Sequence, residues 1–326
     1  MSHDGNPRQP SGLLLQQALD AGAFALTAEV TPPRGGDPRR TLDAARALQG
    51  LVHAVNVTDG SRAVMRMSSL AVCKLLLDQG IEPVLQMACR DRNRIALQAD
   101  LLGAHALGLR NLLCLTGDPV RAGDQPGARP VHELESVRLL QLVAQLNQGH
   151  DPVKGDLPDG GTAFFAGAAA DPSSPSTSGL KARLRRKQEA GARFVQTQMV
   201  MDLETLRRFV GEIAAPMGLP VLAGVFLLKS AKNASFINRV VPGVAIPQAV
   251  IDRLAAALDP AAEGIAIAAE QVAAYRHVAQ GVHLMAIKAE ERIPAILRQA
   301  GVEPLAGGDV QGQIGAEQLG QGLLLR

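Results

Sequence analysis

The chain repeats one spacing, and that spacing limits the folds open to it. Four aliphatic or β-branched segments, "AFALTAEV", "VHAVNVTDG", "EPVLQMACR" and "NLLCLTGD", end near Glu29, Thr58, Ala88 and Asp118, a step of roughly 30 residues. The stretches between them, Thr41 to Leu48, Val64 to Leu77 and Asn93 to Leu107, have helical length and pattern. A strand and a helix repeated at a constant step form a βα unit. The second half keeps the step: "TAFFAGAAA" ends near Ala169, "ARFVQTQMV" near Gln198, "PVLAGVFLL" near Leu227, and "GVHLMAIKA" near Ile287. Two gaps are longer. Loops "RAGDQPGARP" and "NQGHDPVKGDLPDGG" fill the first, and an extra helix from Ala261 to Ala279 fills the second. Eight such units in 326 residues predict a (β/α)8 barrel of the TIM type with extra helices before the last strand, an open doubly wound sheet being the alternative.

Composition narrows the function. Aromatic residues are 2% of the chain, Trp is absent and Tyr275 is the single tyrosine, so the core must be built from Leu, Val, Ile and Ala. Lys and Arg number 33 against 31 Asp and Glu, with no long basic run, and almost no aromatic rings are present on which bases would stack. Nucleic acid is therefore not an expected partner. Cys73, Cys89 and Cys114 show neither CxxC spacing nor a neighbouring His, which predicts reduced, buried thiols and no metal site.

The start "MSHDGNPRQPSG" has no apolar targeting core, and no run approaches the ~18 apolar residues of a membrane span. A soluble, cytoplasmic protein is expected. The organisation predicted is an N-terminal arm and helix over residues 1–22, one catalytic barrel over 23–301, and a weakly structured Gly- and Gln-rich tail over 302–326.

In a (β/α)8 barrel the active site is built at the C-terminal ends of the strands. Glu29, Thr58, Asp118 and Gln198 would share that rim. Glu29 is an isolated acid in an apolar strand, followed by Pro32 and Pro33, which force an extended exit. It either pairs with a rim cation such as Arg34 or, desolvated by Ala28 and Val30, favours the neutral form a general acid needs. Asp118 either caps the turn after the fourth strand or meets a ligand that Gly117 lets close to the backbone. Gln198 either bonds a neighbouring strand or binds a ligand. Arg90 and Arg92 in "CRDRN", with Arg94 just after it, either meet an anion or form a solvated loop paired with Asp91. "KARLRRKQEAGA" reads as an amphipathic helix with a basic face toward water. No GxGxxG, GxxxxGK[ST], HExxH or serine elbow is present.

The motifs "AEVTPPRG", "NVTDG", "LTGDP", "KQEAGARFVQTQ" and "VLAGVF", in this order from about Phe24 to Leu297, resemble the methylenetetrahydrofolate reductases, flavin-dependent barrel enzymes of one-carbon metabolism. The resemblance implies FAD as cofactor, NADH or another electron donor, and a folate substrate. It makes Glu29 the acid that protonates the folate, Asp118 a catalytic and pterin contact beside the flavin, and Gln198 a substrate ligand. Lys187 matches a lysine near the FAD phosphates, and Thr58, Gly117, Ala169 and Ala170 match cofactor-lining positions. The chain departs from better-known bacterial members at three further cofactor positions. Gln86 stands for a His, Thr116 for the Arg of an "LRGD" turn, and Asp171 for a Tyr after the fifth strand. The region around Lys229 to Ala231 lacks the Phe that stacks on folate or nicotinamide.

The resemblance thus implies reduction of 5,10-methylenetetrahydrofolate to 5-methyltetrahydrofolate, in the service of methionine biosynthesis, with flavin held more weakly than in those members. Two rivals share the fold. One is a folate-binding barrel acting in methyl transfer. The other is a partner subunit of a corrinoid, redox or methyltransferase protein, without direct NAD(P)H use. The family resemblance and the apolar end "LLLR" also point to a homo-oligomer.

Overall fold

The structure is a computed structural model that describes residues 14–241, 243–303 and 305. Eight parallel strands close into a barrel: β1 (Ala25–Val30), β2 (Ala54–Val57), β3 (Pro83–Ala88), β4 (Asn111–Leu115), β5 (Phe165–Ala170), β6 (Phe194–Met199), β7 (Val221–Phe226) and β8 (Gly281–Met285). They follow one another in chain order around the barrel, and β8 closes on β1 with Ala25 opposite Gly281 and Ala28 opposite Leu284. The barrel expectation holds, and the open-sheet alternative fails because the ring has no edge.

Helices cover the outside: α1 (Leu14–Asp20), α2 (Arg39–Arg46), α3 (Ser69–Leu77), α4 (Arg94–Ala106), α5 (Ser136–Asn147), α6 (Thr177–Glu189), α7 (Leu203–Arg208), α8 (Ala231–Val240), α9 (Gln248–Ala256), α10 (Pro260–Tyr275) and α11 (Ile293–Gln299). Their starts are set by local chemistry. Asn93, Ser176, Asp202 and Ser230 each accept a backbone N–H of the first turn of α4, α6, α7 and α8. Strands buried on both faces read as nearly continuous apolar runs, which is why the spacing was visible in the sequence.

Local structure departs from the sequence reading at several points. Helix α3 starts at Ser69, not Val64, because Arg62 and Ala63 adopt left-handed backbone (φ 58° and 55°) and the Met67 N–H bonds the carbonyl of Pro33. Three helices, α8 to α10, occupy the gap before β8, where extra helices were expected, and the one read over Ala261 to Ala279 ends earlier, at Tyr275. Strand β4 stops at Leu115, so Asp118 lies in the following loop and not at the strand end. The long loop after α5 contains a two-residue hairpin ladder, His150–Asp151 against Gly155–Asp156. Residues 1–13, and the tail except residues 302, 303 and 305, lie outside the described residues.

The barrel interior is layered. Its lower layer is apolar: Ala25, Ala54, Val84, Leu113, Phe165, Phe194 and Leu222 pack on Leu15 and Ala18 of α1, which plugs the N-terminal end. The Leu14 and Leu15 N–H groups donate to the buried Glu82 carboxylate at 2.7 and 3.1 Å, and Asn111 Nδ2 donates to it at 2.7 Å. The larger aliphatic core lies between strands and helices. Among the described residues no helix is long and apolar enough to cross a membrane.

Candidate functional site at the barrel mouth

Side chains alternate along a strand, so β1 turns Ala25, Thr27 and Glu29 toward the interior in ascending order. The same alternation raises Asn56 on β2, Gln86 on β3, Gln196 and Gln198 on β6, and His283 and Met285 on β8. An apolar lower layer thus gives way to a polar upper one. A pocket of about 360 Å3 opens there, with Glu29, Gln86, Asp171, Gln196 and Gln198 in its polar lining and Leu113, Leu115 and Met285 in its apolar lining.

Glu29 is 15% exposed at its side chain and lies opposite Asn56 in register. Gln86 Nε2 donates to Glu29 Oε2 at 3.4 Å and to Asn56 Oδ1 at 3.4 Å. The nearest basic nitrogen is His283 Nε2, 3.6 Å from Glu29 Oε2. Arg34 is not its partner, since that guanidinium bonds Asp124 at 2.6 Å. Gln198 reaches the mouth at a bulge in β6, where the register with β7 shifts between Gln196 and Met199. Its Oε1 accepts the Met199 N–H at 3.0 Å, while Thr197 Oγ1 accepts the Gly224 N–H across the strands. Such a bulge re-aims side chains at barrel rims.

The other expected residues spread over neighbouring space. Ala169, Ala170 and Asp171 line the mouth and also one wall of a 210 Å3 recess that contains Ser174, Arg183 and Lys187. Lys187 Nζ donates to the Ala169 carbonyl at 2.7 Å. Burial holds its pKa below the usual lysine range, with Glu135 acting in the opposite sense. Burial pushes the Asp171 carboxyl up, partly offset by the Ser173 N–H it accepts. Thr116 and Gly117 line a separate cleft of about 1140 Å3 with Arg121, His132, Arg138 and Arg186. Thr116 Oγ1 accepts the Ser136 N–H at the start of α5. Thr58 is buried and its Oγ1 has no hydrogen-bond partner.

Asp118 lines none of these spaces. It is exposed, and its Oδ2 accepts the Arg62 N–H at 2.6 Å, the turn-tethering role that its residue type allows. Gly117 has φ 93°, and a β-carbon there would stand 2.8 Å from Arg90 Cβ, so close packing on Arg90 already requires glycine. The two arginines of "CRDRN", and Arg94 next to it, each have a carboxylate partner within the chain. Arg90 is 5% exposed and bonds Asp91 and the Gly60 carbonyl, Arg92 bonds Asp59 and Asp100, and Arg94 faces Glu133. The three cysteines are free and buried, and burial pushes the Cys89 thiol up to about 12. No cluster of metal-ligating side chains occurs among the described residues.

Thr27, Asn56, Gln196 and His283 were missed by the reading of strand ends. The signal for them was the alternation one step earlier in each strand: Thr27 before Glu29, Asn56 before Thr58, Gln196 before Gln198, and a His inside an apolar segment.

A family model described as methylenetetrahydrofolate reductase matches residues 14–301. The chain belongs to the methylenetetrahydrofolate reductase family. Among relatives of this reductase family, a probable methylenetetrahydrofolate reductase (NADPH) of Caenorhabditis elegans is 25% identical over 74% of this chain and 36% of its own length. Methylenetetrahydrofolate reductase 1 of Schizosaccharomyces pombe is 26% identical over 54% of this chain and 28% of its own. The chain therefore spans about a third of the length of these reductases. Among solved structures, an uncharacterized Clostridium thermocellum protein that binds two copies of 5-methyl-5,6,7,8-tetrahydrofolic acid superposes with TM-score 0.62 at 14% identity, over 89% of this chain and 98% of that one. At that identity the likeness concerns the fold.

Proposed function

We propose that this protein reduces 5,10-methylenetetrahydrofolate to 5-methyltetrahydrofolate, with Glu29 as the acid and FAD as cofactor. The observation that carries the reading is Glu29 itself. It is a mostly buried carboxyl at the mouth of a barrel of this family, bonded by a neutral amide and with no lysine or arginine in the pocket lining. The methylene bridge accepts hydride poorly until its ring opens to an iminium ion, and opening requires a proton on the departing nitrogen. Glu29 supplies that proton, which bears on catalysis by roughly 10²- to 10⁴-fold in such roles. Gln198 and Gln196 offer amide groups to orient a pterin, and Leu113, Leu115 and Met285 exclude water around it.

The residues fit a flavin. Lys187 and Arg183 present two cations to the recess beside the mouth, and the buried hydroxyl of Thr58 lacks a partner. These groups, with Ala169, Ala170 and Asp171, would hold the cofactor, and Thr116 and Gly117 border the adjoining cleft. When bound, the flavin supplies the hydride, while the protein supplies binding and orientation. Asp118 enters this reading only if its loop turns toward the mouth on binding. Gln86 is better placed to steady Glu29 than to contact the cofactor, since its amide protons go to Glu29 and Asn56.

The test is anaerobic. Purified protein, reconstituted with FAD, is reduced by NADH, NADPH or dithionite and then mixed with 5,10-methylenetetrahydrofolate while the flavin spectrum is followed. Reoxidation with formation of 5-methyltetrahydrofolate is expected. A colourless protein that binds no flavin yet transfers methyl groups to a corrinoid would replace this reading with the methyl-transfer one.

A further inference from the structure

His283 is fully buried inside the barrel, and its two ring nitrogens meet different groups. Nδ1 is 3.0 Å from Thr27 Oγ1. Nε2 has no hydrogen-bond partner and faces Glu29 Oε2 at 3.6 Å. Thr27 Oγ1 also lies 3.4 Å from the Val282 carbonyl, which only accepts; with the hydroxyl proton given to that carbonyl, Oγ1 accepts from Nδ1–H. Nε2 then carries a bare lone pair directed at a carboxyl oxygen. Two facing acceptors leave Nε2 without a partner, and a single proton between them bonds it to the carboxyl.

The surroundings reinforce this arrangement. Gln86 donates to the same Oε2 from the β3 side, and its second proton goes to Asn56, so the carboxyl is steadied where it meets His283. Asp171 is the other titratable group of the pocket lining, and β2, β3 and β6 contribute the neutral amides of Asn56, Gln86, Gln196 and Gln198. That lining contains no lysine or arginine.

We propose that Glu29 and His283 share one proton, and that Thr27 is the positioning residue that keeps His283 in the accepting tautomer. The use of that proton rests on the reaction proposed above. There the Glu29 O–H bond breaks and an N–H bond forms on the departing folate nitrogen. Glu29 is left as a carboxylate against neutral His283, an unfavourable pairing that a proton from solvent then relieves.

The first test needs no turnover. Nitrogen-15 NMR of ligand-free protein labelled at histidine, with His283 assigned by its loss in His283→Gln, should show a protonated Nδ1, and Thr27→Val should abolish that pattern while Thr27→Ser keeps it. A bare Nδ1 with a protonated Nε2 in the wild type overturns the proposal, and His283→Asn serves for the assignment if His283→Gln does not fold. The second test is the pH dependence of turnover. In Thr27→Val and in His283→Gln a donor faces the carboxylate and favours its ionised form, so the alkaline limb should move to lower pH. An unmoved limb in both variants also overturns the proposal. A protonated Nδ1 in a protein that does not turn over methylenetetrahydrofolate supports the pair and defeats the reaction assigned to it.

Discussion

The ring of Phe194 occupies the space that a side chain on Gly167 would need: a β-carbon there would stand 2.3 Å from Phe194 Cζ. Phe194 also stacks on Phe165 with centroids 5.2 Å apart. Both rings belong to the apolar layer of the barrel interior that packs on α1.

Gly167→Ala should therefore overpack the barrel interior against Phe194 and destabilise the fold by roughly 1–3 kcal/mol. Thermal unfolding of the variant reads this. Adding Phe194→Leu should recover part of the loss, and a single variant as stable as wild type would show that the ring moves aside freely.

Glu82→Ala should loosen α1. The carboxylate accepts two helix N–H groups and the Asn111 amide, and its removal leaves buried donors unpaired at a cost of roughly 2–4 kcal/mol. Hydrogen exchange at Leu14 and Leu15 should rise along with the drop in unfolding midpoint. Unchanged exchange there would mean that apolar contacts of Leu15 and Ala18 alone hold the plug.

Asp171 yields a pH dependence with a definite sign. Burial raises its folded pKa above the unfolded value, so the folded state binds its proton more tightly, and stability falls as pH rises through the window just above the ordinary carboxylate range. Asp171→Asn should be more stable than wild type at neutral pH, and the difference should vanish near about pH 3.5, where both states of the wild type are largely protonated. Paired melting curves at the two pH values decide it. A gain that is independent of pH would assign the effect to packing.

Glu29→Gln should lower methylenetetrahydrofolate turnover by roughly 10²- to 10⁴-fold while leaving flavin reduction by its electron donor nearly unchanged. Stopped-flow measurement of the two half-reactions separates these steps. Near-normal folate reduction in the variant would remove Glu29 from the acid role.

Thr116→Arg should tighten FAD binding by restoring a cation at the entrance to the large cleft, a charge-assisted hydrogen bond contributing roughly 1.5–3 kcal/mol. The same change removes the hydroxyl that accepts the Ser136 N–H, so a small loss of thermal stability should accompany it. Fluorescence titration of apo-protein gives the affinity. Wild-type binding already at nanomolar strength would show that other groups, with Lys187 and Arg183 the first to examine, supply the missing contact.

The repeat, the aliphatic core and the family motifs are legible along the chain, because each is a local property. A strand buried on both faces is an apolar run, a helix start carries its cap within three residues, and the step between strand ends sets the barrel. The sequence also singled out Glu29, since an isolated acid in an apolar strand is visible without knowing its neighbours. The tertiary structure decided what that acid meets. His283 and Glu29 lie near opposite ends of the chain and come together only because β8 closes on β1 in a register that aligns Ala28 with Leu284. Asp118, two residues past Thr116 at the end of its segment, turned outward because β4 ends at Leu115 and the loop then bonds Arg62. Strand ends can be located from periodicity along the chain. The facing of two side chains across a closed ring depends on register and curvature, which arise only when all eight strands pair.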